Sequence, residues 1–389
     1  MNEDVVARVR AREYPRPDPG TFFNAASWGL VPISAAQEVA DLTLRRNRTR
    51  GFEEEELGRI QRRCRAAAAS LLGVDADEVA LAPNTSFGVN LAAALVSAGP
   101  PGAILVAQGE FPANVFPWKA LEARGFRVHV VPADEWGRPR EEELLRRLDD
   151  PGVRALALSA VQFASGHRAD LRMFGEACRR RGILFCVDAI QALGAVPLHP
   201  RDAFVDVLAS GGQKWLCAPW GSGFAYVRRE LLERCDPPMV SWLAVEGATR
   251  FDDMLHYRMK FLPNARRFEL ATLGIQDYLG LARSVEIFLE MGVAAVERHL
   301  RSVQEPLVEW ILSRDDVTAV TPLEPERRAG IMSFSLADNG PAVAALEKAG
   351  VTFAVRERAI RFSPHFYNTR LEMEEVVALL ERATGGRRG

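Results

Sequence analysis

Short apolar runs alternate with helix-like stretches along the middle of the chain, between Glu78 and Val227. The runs read EVALA, AILVA, RVHVVP, RALALSAVQ, ILFCVD, VDVLAS and GFAYV. Unbroken apolar runs of this length are typical of strands that are buried on both faces. Strands that alternate with helices predict a mostly parallel sheet with helices on both sides. The pattern therefore predicts an α/β fold.

Two polar residues stand near the ends of neighbouring apolar runs. Asp188 ends ILFCVD, and Lys214 follows VDVLAS after a short glycine turn, 26 residues further on (214 − 188). Because parallel strands deliver their carboxyl ends to one edge of a sheet, we expect the carboxylate and the amine to lie close together. This pair suits pyridoxal 5′-phosphate (PLP), which binds a lysine as a Schiff base and whose ring nitrogen an aspartate keeps protonated. A solvated loop lysine is the alternative.

Lysine is rare in this chain, and its rarity gives Lys214 more weight. Only four of the 49 basic residues are lysines, so arginine carries most of the positive charge. Arginine cannot lose its proton and act as a nucleophile, whereas a desolvated lysine can. We therefore interpret Lys214 as a residue that serves amine chemistry.

Asn84, Thr85 and Ser86 lie between the first apolar run and the helix that follows it. A helix N-terminus offers backbone N–H groups and the positive end of the helix dipole, which suit a phosphate group. Residues of this kind also serve as plain N-caps, and the pattern taken alone favours the cap.

Composition and charge exclude several other classes of function. The chain of 389 residues has 49 basic and 51 acidic side chains, which gives no reason to expect nucleic acid or an anionic membrane as a partner. The N-terminal residues lack the apolar core of a secretory signal, and no apolar run approaches the roughly 20 residues that span a bilayer. Five cysteines without CxxC spacing predict neither a disulfide framework nor a zinc site. We expect a cytoplasmic protein without a structural metal.

Four segments resemble the class V aminotransferases, a family of fold-type I PLP enzymes that also contains cysteine desulfurases, isopenicillin N epimerases and kynureninases. The segments are VDAIQALG, GGQKWLCAPWGSGF, RFELAT near Phe268 and IRFSPHFYN. The likeness extends from about Phe22 to the C-terminal helix. It implies a large domain with a mostly parallel seven-stranded sheet flanked by helices, and a smaller α+β C-terminal domain.

The resemblance also implies how the chain divides. Residues 1–30 would form an N-terminal arm at the mouth of the active site. Residues 31–275 would form the large PLP-binding domain, with the helices of residues 31–72 placed where they could pack on the small domain. Residues 276–389 would form the small domain.

Roles for individual residues follow from the same resemblance. Lys214 would form the Schiff base and Asp188 would hold the ring nitrogen, so we expect Asp188 to stay ionised. Phe111 would stack on the ring, unless it is an ordinary core residue. Gln162 would hydrogen-bond the phenolic oxygen, unless it is a polar loop residue. The other cofactor-binding candidates are Thr85, Ser86, Gln191, Ser210, Gln213 and Thr272.

The substrate side of the site is implied in the same way. Arg361 matches the family residue that holds the α-carboxylate of an amino acid, and a planar guanidinium suits such a group. A solvated strand arginine is the alternative. Asn24 and Trp28 would lie near the substrate. The alternative, which fits the sequence equally well, is that the aromatic residues of this arm only pack a loose N-terminus against the fold. In the resembled family, Thr272 would contact the phosphate bound to the other subunit, so we expect a homodimer with active sites near the interface.

We predict an aminotransferase of class V that acts on an amino acid or a related primary amine. A C–S lyase that works by β-elimination and an amino-acid epimerase remain alternatives on the same scaffold. Desulfurase chemistry is disfavoured because Phe111 stands where desulfurases usually place a proton-relaying histidine, and because no cysteine follows Cys235. A nucleotide-binding protein without PLP is the alternative from another class. Its motifs are missing, because GGQKWL lacks the glycine spacing and hydroxyl residue of a P-loop.

Overall fold

The computed structural model describes residues 3–15, 20–48 and 53–385. The outer ends of the predicted domain ranges, residues 1 and 389, lie outside these residues. The chain forms one large sheet and one small sheet.

Seven strands form the large sheet, and helices cover both of its faces. The strands are β1 (Val79–Ala82), β2 (Ala103–Ala107), β3 (Arg127–Val131), β4 (Val153–Ser159), β5 (Leu184–Asp188), β6 (Val207–Gly211) and β7 (Gly223–Val227). Their order is β1–β7–β6–β5–β4–β2–β3. Within this sheet β7 runs antiparallel to both neighbours, and the other pairs are parallel. The predicted α/β fold with a mostly parallel seven-stranded sheet is confirmed.

Alternate residues of the strands feed two separate hydrophobic cores. In β2, Leu105 points into one core, whereas Ile104 and Val106 point into the other. Both faces of β2 are therefore dry, which explains why this strand is apolar throughout.

The described residues form ten α-helices before the small sheet begins. They are α1 (Glu3–Glu13), α2 (Ile33–Arg46), α3 (Glu54–Leu72), α4 (Thr85–Ser97), α5 (Phe116–Lys119), α6 (Glu141–Arg147), α7 (Leu171–Arg181), α8 (Arg229–Arg234), α9 (Ile275–Met291) and α10 (Val293–Leu312). Helices α2 and α3 pack against α9, the first helix of the range predicted as the small domain. No helix among the described residues is both long and apolar enough to cross a membrane.

The small sheet lies near the C-terminus and is antiparallel throughout. It contains β8 (Val317–Ala319), β9 (Met332–Leu336), β10 (Ala354–Arg356) and β11 (Ala359–Phe362), in the order β10–β11–β9–β8. Two further helices, α11 (Gly340–Lys348) and α12 (Arg370–Thr384), accompany it. Ile360 and Phe362 of β11 join a core shared with α10, α11 and α12, and Phe23 of the N-terminal arm enters the same core.

Candidate active site

The ends of β4, β5 and β6 bring the predicted site residues to one edge of the large sheet. Ser159 and Asp188 are the last residues of β4 and β5, and they are paired across the two strands. β6 lies beside β5 and ends at Gly211, three residues before Lys214. The carboxylate and the amine therefore meet at the edge where ligands collect in α/β sheets.

Lys214 is partly buried at this edge and lies beside an aromatic ring. Its Nζ lies 5.6 Å from the centroid of the Phe111 ring. Burial lowers the pKa of Lys214 to about 8, although Asp188 pulls the pKa in the opposite direction. About a tenth to a fifth of the amine is therefore neutral between pH 7 and pH 7.4, far more than for a solvated lysine, and the neutral amine is the nucleophile. A freely solvated loop lysine does not fit this burial.

Asp188 is only 4% exposed. Its Oδ1 accepts a hydrogen bond of 2.9 Å from the backbone N–H of Ile190. Burial, and to a smaller extent nearby Glu110, raises the pKa of Asp188 to about 7. The expectation of an ionised Asp188 concerns the carboxylate beside the cofactor nitrogen, and it stays a prediction. A protonated ring nitrogen beside this carboxyl would favour the ionised form again, because an opposite charge lowers an acid's pKa.

Glu110 is a buried carboxylate at the centre of the site to which the sequence analysis assigned no role. It accepts hydrogen bonds from the backbone N–H of Ser159 at 2.7 Å, Gln162 Nε2 at 2.8 Å and Asn114 Nδ2 at 2.9 Å, and the Ser159 hydroxyl donates a fourth. Burial raises the pKa of Glu110. No lysine or arginine of the described residues forms an ion pair with it. Glu110 therefore ties the loops after β2 and β4 together through neutral donors only.

Gln162 and Phe111 flank Glu110. Gln162 is 1% exposed, and its Oε1 is buried without a hydrogen-bond partner among the described residues. Its carboxamide orientation follows from Glu110, since a carboxylate can only accept from Nε2. Phe111 is 46% exposed and packs edge-on against Phe163, with ring centroids 5.2 Å apart. This exposure excludes the alternative of Phe111 as an ordinary core residue.

The start of α4 lies against the end of β6. Asn84 is the N-cap of α4, and its side chain accepts from the backbone N–H of Phe87 at 2.9 Å. The cap is thus Asn84, and the hydroxyl of Thr85 is used differently, accepting from the backbone N–H of Gly211 at 2.8 Å. Gly88 permits this close approach, because a Cβ there would lie 2.5 Å from the Cβ of Ala209.

The other predicted cofactor-binding residues occupy varied settings. Ser210 is buried, and its hydroxyl donates to the carbonyl of Gly211 at 3.0 Å, whereas Ser86 is exposed. Gln213 is partly buried beside Gly211. Thr272 is exposed in the single chain.

Gln191 already has protein partners on both ends of its amide. Its Nε2 donates to the carbonyl of Ala26 at 3.1 Å, and its Oε1 accepts from Trp215 Nε1 at 2.7 Å. Gln191 therefore holds the N-terminal arm to the segment that carries Lys214.

Arg361 is a buried arginine without an acidic partner among the described residues. It is 1% exposed, which excludes the alternative of a solvated strand arginine. Its Nη1 donates to the carbonyl of Phe163 at 2.6 Å and its Nη2 to the hydroxyl of Ser27 at 2.9 Å. Burial, and to a smaller extent Arg356, lowers the pKa of Arg361 to about 9. No carboxylate of the described residues lies within ion-pair distance, and Nε has no partner among them.

The N-terminal arm lies across this part of the site. Ser27 Oγ donates to Asn24 Oδ1 at 2.7 Å, so Asn24 orients the hydroxyl that accepts from Arg361. The backbone N–H of Gly29 donates to the carbonyl of Gln213 at 2.9 Å. Trp28 is partly exposed and packs near Phe22, with ring centroids 5.7 Å apart.

These residues fit the cofactor that the sequence predicts. Asp188 feels the charge of a second carboxyl group, Glu110, as well as that of Lys214, and a cationic ring nitrogen would balance the pair of acids. Gln162 keeps a buried oxygen that a bound group would satisfy. The helix N-terminus at Thr85 can receive a phosphate. A metal is a poorer match, because the described residues contain no cluster of three or more potential metal ligands.

Comparison with families of known proteins gives an independent result. The family described as Aminotransferase class-V matches residues 46–376. The uncharacterized aminotransferase YcbU of Bacillus subtilis (strain 168) is 27% identical over 311 residues, which cover 79% of this chain and 80% of the relative. A probable cysteine desulfurase of Methanothermobacter thermautotrophicus is 25% identical over 398 residues, 96% of this chain and 97% of the relative. Isopenicillin N epimerase of Streptomyces clavuligerus is 27% identical over 379 residues, 93% and 94% of the two chains.

A solved structure shares the fold. A lysine-to-alanine mutant of C-DES, with glycine covalently linked to its PLP cofactor, has a TM-score of 0.84 at 21% identity. The match covers 95% of this chain and 98% of C-DES.

Proposed function

The chain belongs to the class V aminotransferase family, and from this premise we propose that it is an aminotransferase that acts on α-amino acids. The family makes it an enzyme with PLP as its cofactor. PLP supplies an electron sink for bonds that break at the Cα of an amine. Residues of this chain bind and orient the substrate and move its proton.

One observation carries the proposal: Lys214 lies near enough to feel the charges of both the buried Asp188 and the buried Arg361, an arginine without an acidic partner among the described residues. Lys214 would hold the cofactor through Nζ, and the same amine would move the proton at Cα, because a pKa of about 8 lets it both accept and donate. Asp188 would hold the proton on the ring nitrogen. Arg361 binds the α-carboxylate, whose charge would pair with a guanidinium that has no other anion among the described residues.

Three further groups position the cofactor in this proposal. Phe111 would stack on the ring, and the second N–H of Gln162 Nε2, whose first N–H donates to Glu110, would donate to the phenolic oxygen. The first turn of α4 and the end of β6 bind the phosphate. The remaining members of the phosphate set are Ser86, Ser210, Gln213 and, from the other subunit, Thr272.

Desulfurase chemistry is a weaker match, although a probable desulfurase is among the relatives. Phe111 can stack on a ring but cannot relay a proton. Cys217, three residues after Lys214, is fully buried, and burial raises its pKa to about 12. β-Elimination and epimerisation also begin with removal of the Cα proton. Epimerisation is the second candidate function, because an epimerase is among the relatives.

We extend the proposal to the assembly and the domains. The chain acts as a cytoplasmic homodimer, with residues 1–30 as the arm, 31–275 as the large domain and 276–389 as the small domain. Large apolar side chains on the segment of residues 236–262 support dimerisation, since Leu255 is 78% exposed and Tyr257 is 80% exposed in the single chain.

The test has two parts. Borohydride reduction of the purified protein should give a pyridoxyl-peptide that contains Lys214, and Lys214→Ala should remove it while the matched change Lys119→Ala should not. Incubation with a panel of amino acids and keto-acid acceptors should then give new keto acids in equal amounts to consumed amine. Racemised amino acid without keto acid would instead favour the epimerase, and a pyridoxyl-peptide with another lysine would overturn the site.

A further inference from the structure

The small sheet turns one polar face toward the large domain. On β11, Ile360 and Phe362 point into the apolar core, so Arg361 points to the opposite face, where it contacts Phe163 and Ser27. The cross-strand partner of Arg361 on β9 is Ser333, whose hydroxyl donates to the carbonyl of Ala164 at 2.6 Å. This polar face is therefore pressed against the loop after β4, which also carries Gln162.

Arg356 belongs to the same face. In the pairing of β10 with β11, Ala354 lies opposite Arg361 and Arg356 lies opposite Ala359. Residues directly opposite each other in an antiparallel pair point to the same side, and Ala359 is two residues from Arg361. Arg356 and Arg361 are thus diagonal neighbours, about 7–8 Å apart at their backbones.

The connection between β10 and β11 fixes this arrangement. Only Glu357 and Arg358 separate the strands, and both have positive φ, 44° and 67°. Two-residue turns of this kind hold the register of a hairpin tightly. β10 is also the edge strand of the small sheet, and no further strand of this sheet lies beyond it among the described residues.

The guanidinium of Arg356 has no acidic partner in the described part of the chain. It is exposed, and its Nη1 donates to the carbonyl of the adjacent Val355 at 2.8 Å. Its charge nevertheless reaches the site. Burial is the main cause that lowers the pKa of Lys214, and Arg361 and then Arg356 lower it further. Arg356 and Arg361 are two cations on one face of a sheet, and they repel each other because neither has an acidic partner among the described residues. A ligand with two negative charges would remove this repulsion.

We propose that Arg356 binds a second carboxylate, carried on the side chain of the substrate, and that the enzyme acts on dicarboxylic α-amino acids. This inference rests on the proposed function, in which Arg361 holds the α-carboxylate. The buried arginine then fixes the reacting end of the substrate, and the exposed arginine selects its side chain.

Substrate selection tests the proposal. The ratio of kcat/KM for glutamate or aspartate to that for glutamine or asparagine should exceed one in the wild-type enzyme. Arg356→Gln should lower kcat/KM for the dicarboxylic substrates about ten- to a hundredfold, the range for a hydrogen bond to a charged group. It should change kcat/KM for the amides far less, since these lose only the minor effect of Arg356 on the pKa of Lys214. Arg358→Gln, an exposed arginine two residues away, removes the same charge and should change neither class.

A binding measurement separates this inference from the proposed function. Glutarate cannot react, and in calorimetry it should bind the holoenzyme more tightly than butyrate, with the difference lost in Arg356→Gln. Equal binding of the two acids, or a difference that survives in the variant, would overturn the role of Arg356 while leaving transamination intact. If no amino acid were turned over, the proposed function would fail, and the calorimetric comparison would still decide whether Arg356 binds a carboxylate.

Discussion

At the scale of single residues, the buried carboxyl group of Asp188 destabilises the folded protein when no cofactor is bound. The folded chain raises its pKa from 3.8 to about 7, chiefly by burial. An acid whose pKa is raised on folding binds more protons in the native state than in the unfolded state, here between pH 3.8 and about pH 7. Stability therefore falls as the pH rises through this window.

Asp188→Asn should therefore stabilise the cofactor-free protein in a pH-dependent way. The gain should reach up to about 4 kcal/mol above pH 7, from roughly three pKa units, and should vanish near pH 4. Urea unfolding of both proteins at pH 4.5 and pH 8 measures it. With PLP bound, the same change should remove most turnover. An equal gain at both pH values would show that Asp188 is not titrating.

Glu110 offers a second test at this scale. In Glu110→Gln one carboxylate oxygen becomes a donor, so at least one of the four hydrogen bonds to this side chain loses its acceptor. We expect the free energy of unfolding to fall by about 1–3 kcal/mol, as for a buried group left unsatisfied. Removing the negative charge should also lower the pKa of Asp188, seen as a shift of the cofactor's pH titration to lower pH. The exposed change Glu122→Gln is the control.

The cysteines give a negative prediction. Four of the five are buried and Cys235 is partly exposed, and desolvation raises the thiol pKa of each. Since the thiolate is the nucleophile, we expect no protein-bound persulfide during turnover with cysteine. Any sulfur release should give pyruvate and ammonia. Mass spectrometry that finds a persulfide, with alanine as co-product, would place desulfuration first.

Site residues that follow a recognisable strand can be predicted from the sequence. Hydrogen-bond networks between residues far apart in the chain cannot. Lys214 and Asp188 stand beside long apolar runs, and the structure brings both to one edge. Glu110 also follows an apolar run, but its importance comes from Ser159 and Gln162, which are 49 and 52 residues away along the chain. No local pattern reveals such partners.

At the scale of elements, the N-terminal arm depends on one close contact. Gly29 lies so near the Lys214 segment that a Cβ would approach the carbonyl oxygen of Lys214 to 2.1 Å. Gly29→Ala must therefore displace the arm. We expect a loss of about 1–3 kcal/mol in the free energy of unfolding, in the range for overpacking, together with a higher KM.

A matched glycine makes this prediction specific. Gly58 lies inside α3, where a Cβ would meet only the flexible end of Arg62. Gly58→Ala should raise stability by about 0.5–1 kcal/mol, because alanine favours the helix, and should leave KM unchanged. If both variants behaved alike in urea unfolding, the arm would not be held by this contact.

The sequence predicts some elements better than others for physical reasons. The apolar runs predict strands β1 to β7, although β3 also carries Arg127 and His129 and is largely exposed. The runs do not predict that β7 is antiparallel to its neighbours, because the direction of a strand depends on the path by which the chain re-enters the sheet. Helix α1 was also missed, since its few apolar residues, Val6 and Val9 among them, are buried only by contact with α9 and α10.

At the scale of the whole molecule, the single chain leaves a set of large apolar side chains exposed. Trp220, Phe251 and Met259 are among the large apolar side chains that stay mostly exposed. Patches of this kind mark protein interfaces. We therefore expect a particle of twice 43.0 kDa by light scattering.

A mixed dimer tests whether the subunits share their sites. Lys214→Ala and Thr272→Glu should each inactivate the enzyme, the first by removing the amine and the second by placing a carboxylate beside the phosphate. If Thr272 serves the partner's site, a dimer of the two variants places both defects in one site and leaves the other intact. Co-expression with two different tags and double purification should then recover activity in one of its two sites. If Thr272 serves its own subunit, each site carries one defect and the mixed dimer stays inactive, which would overturn the shared site while leaving the dimer itself intact.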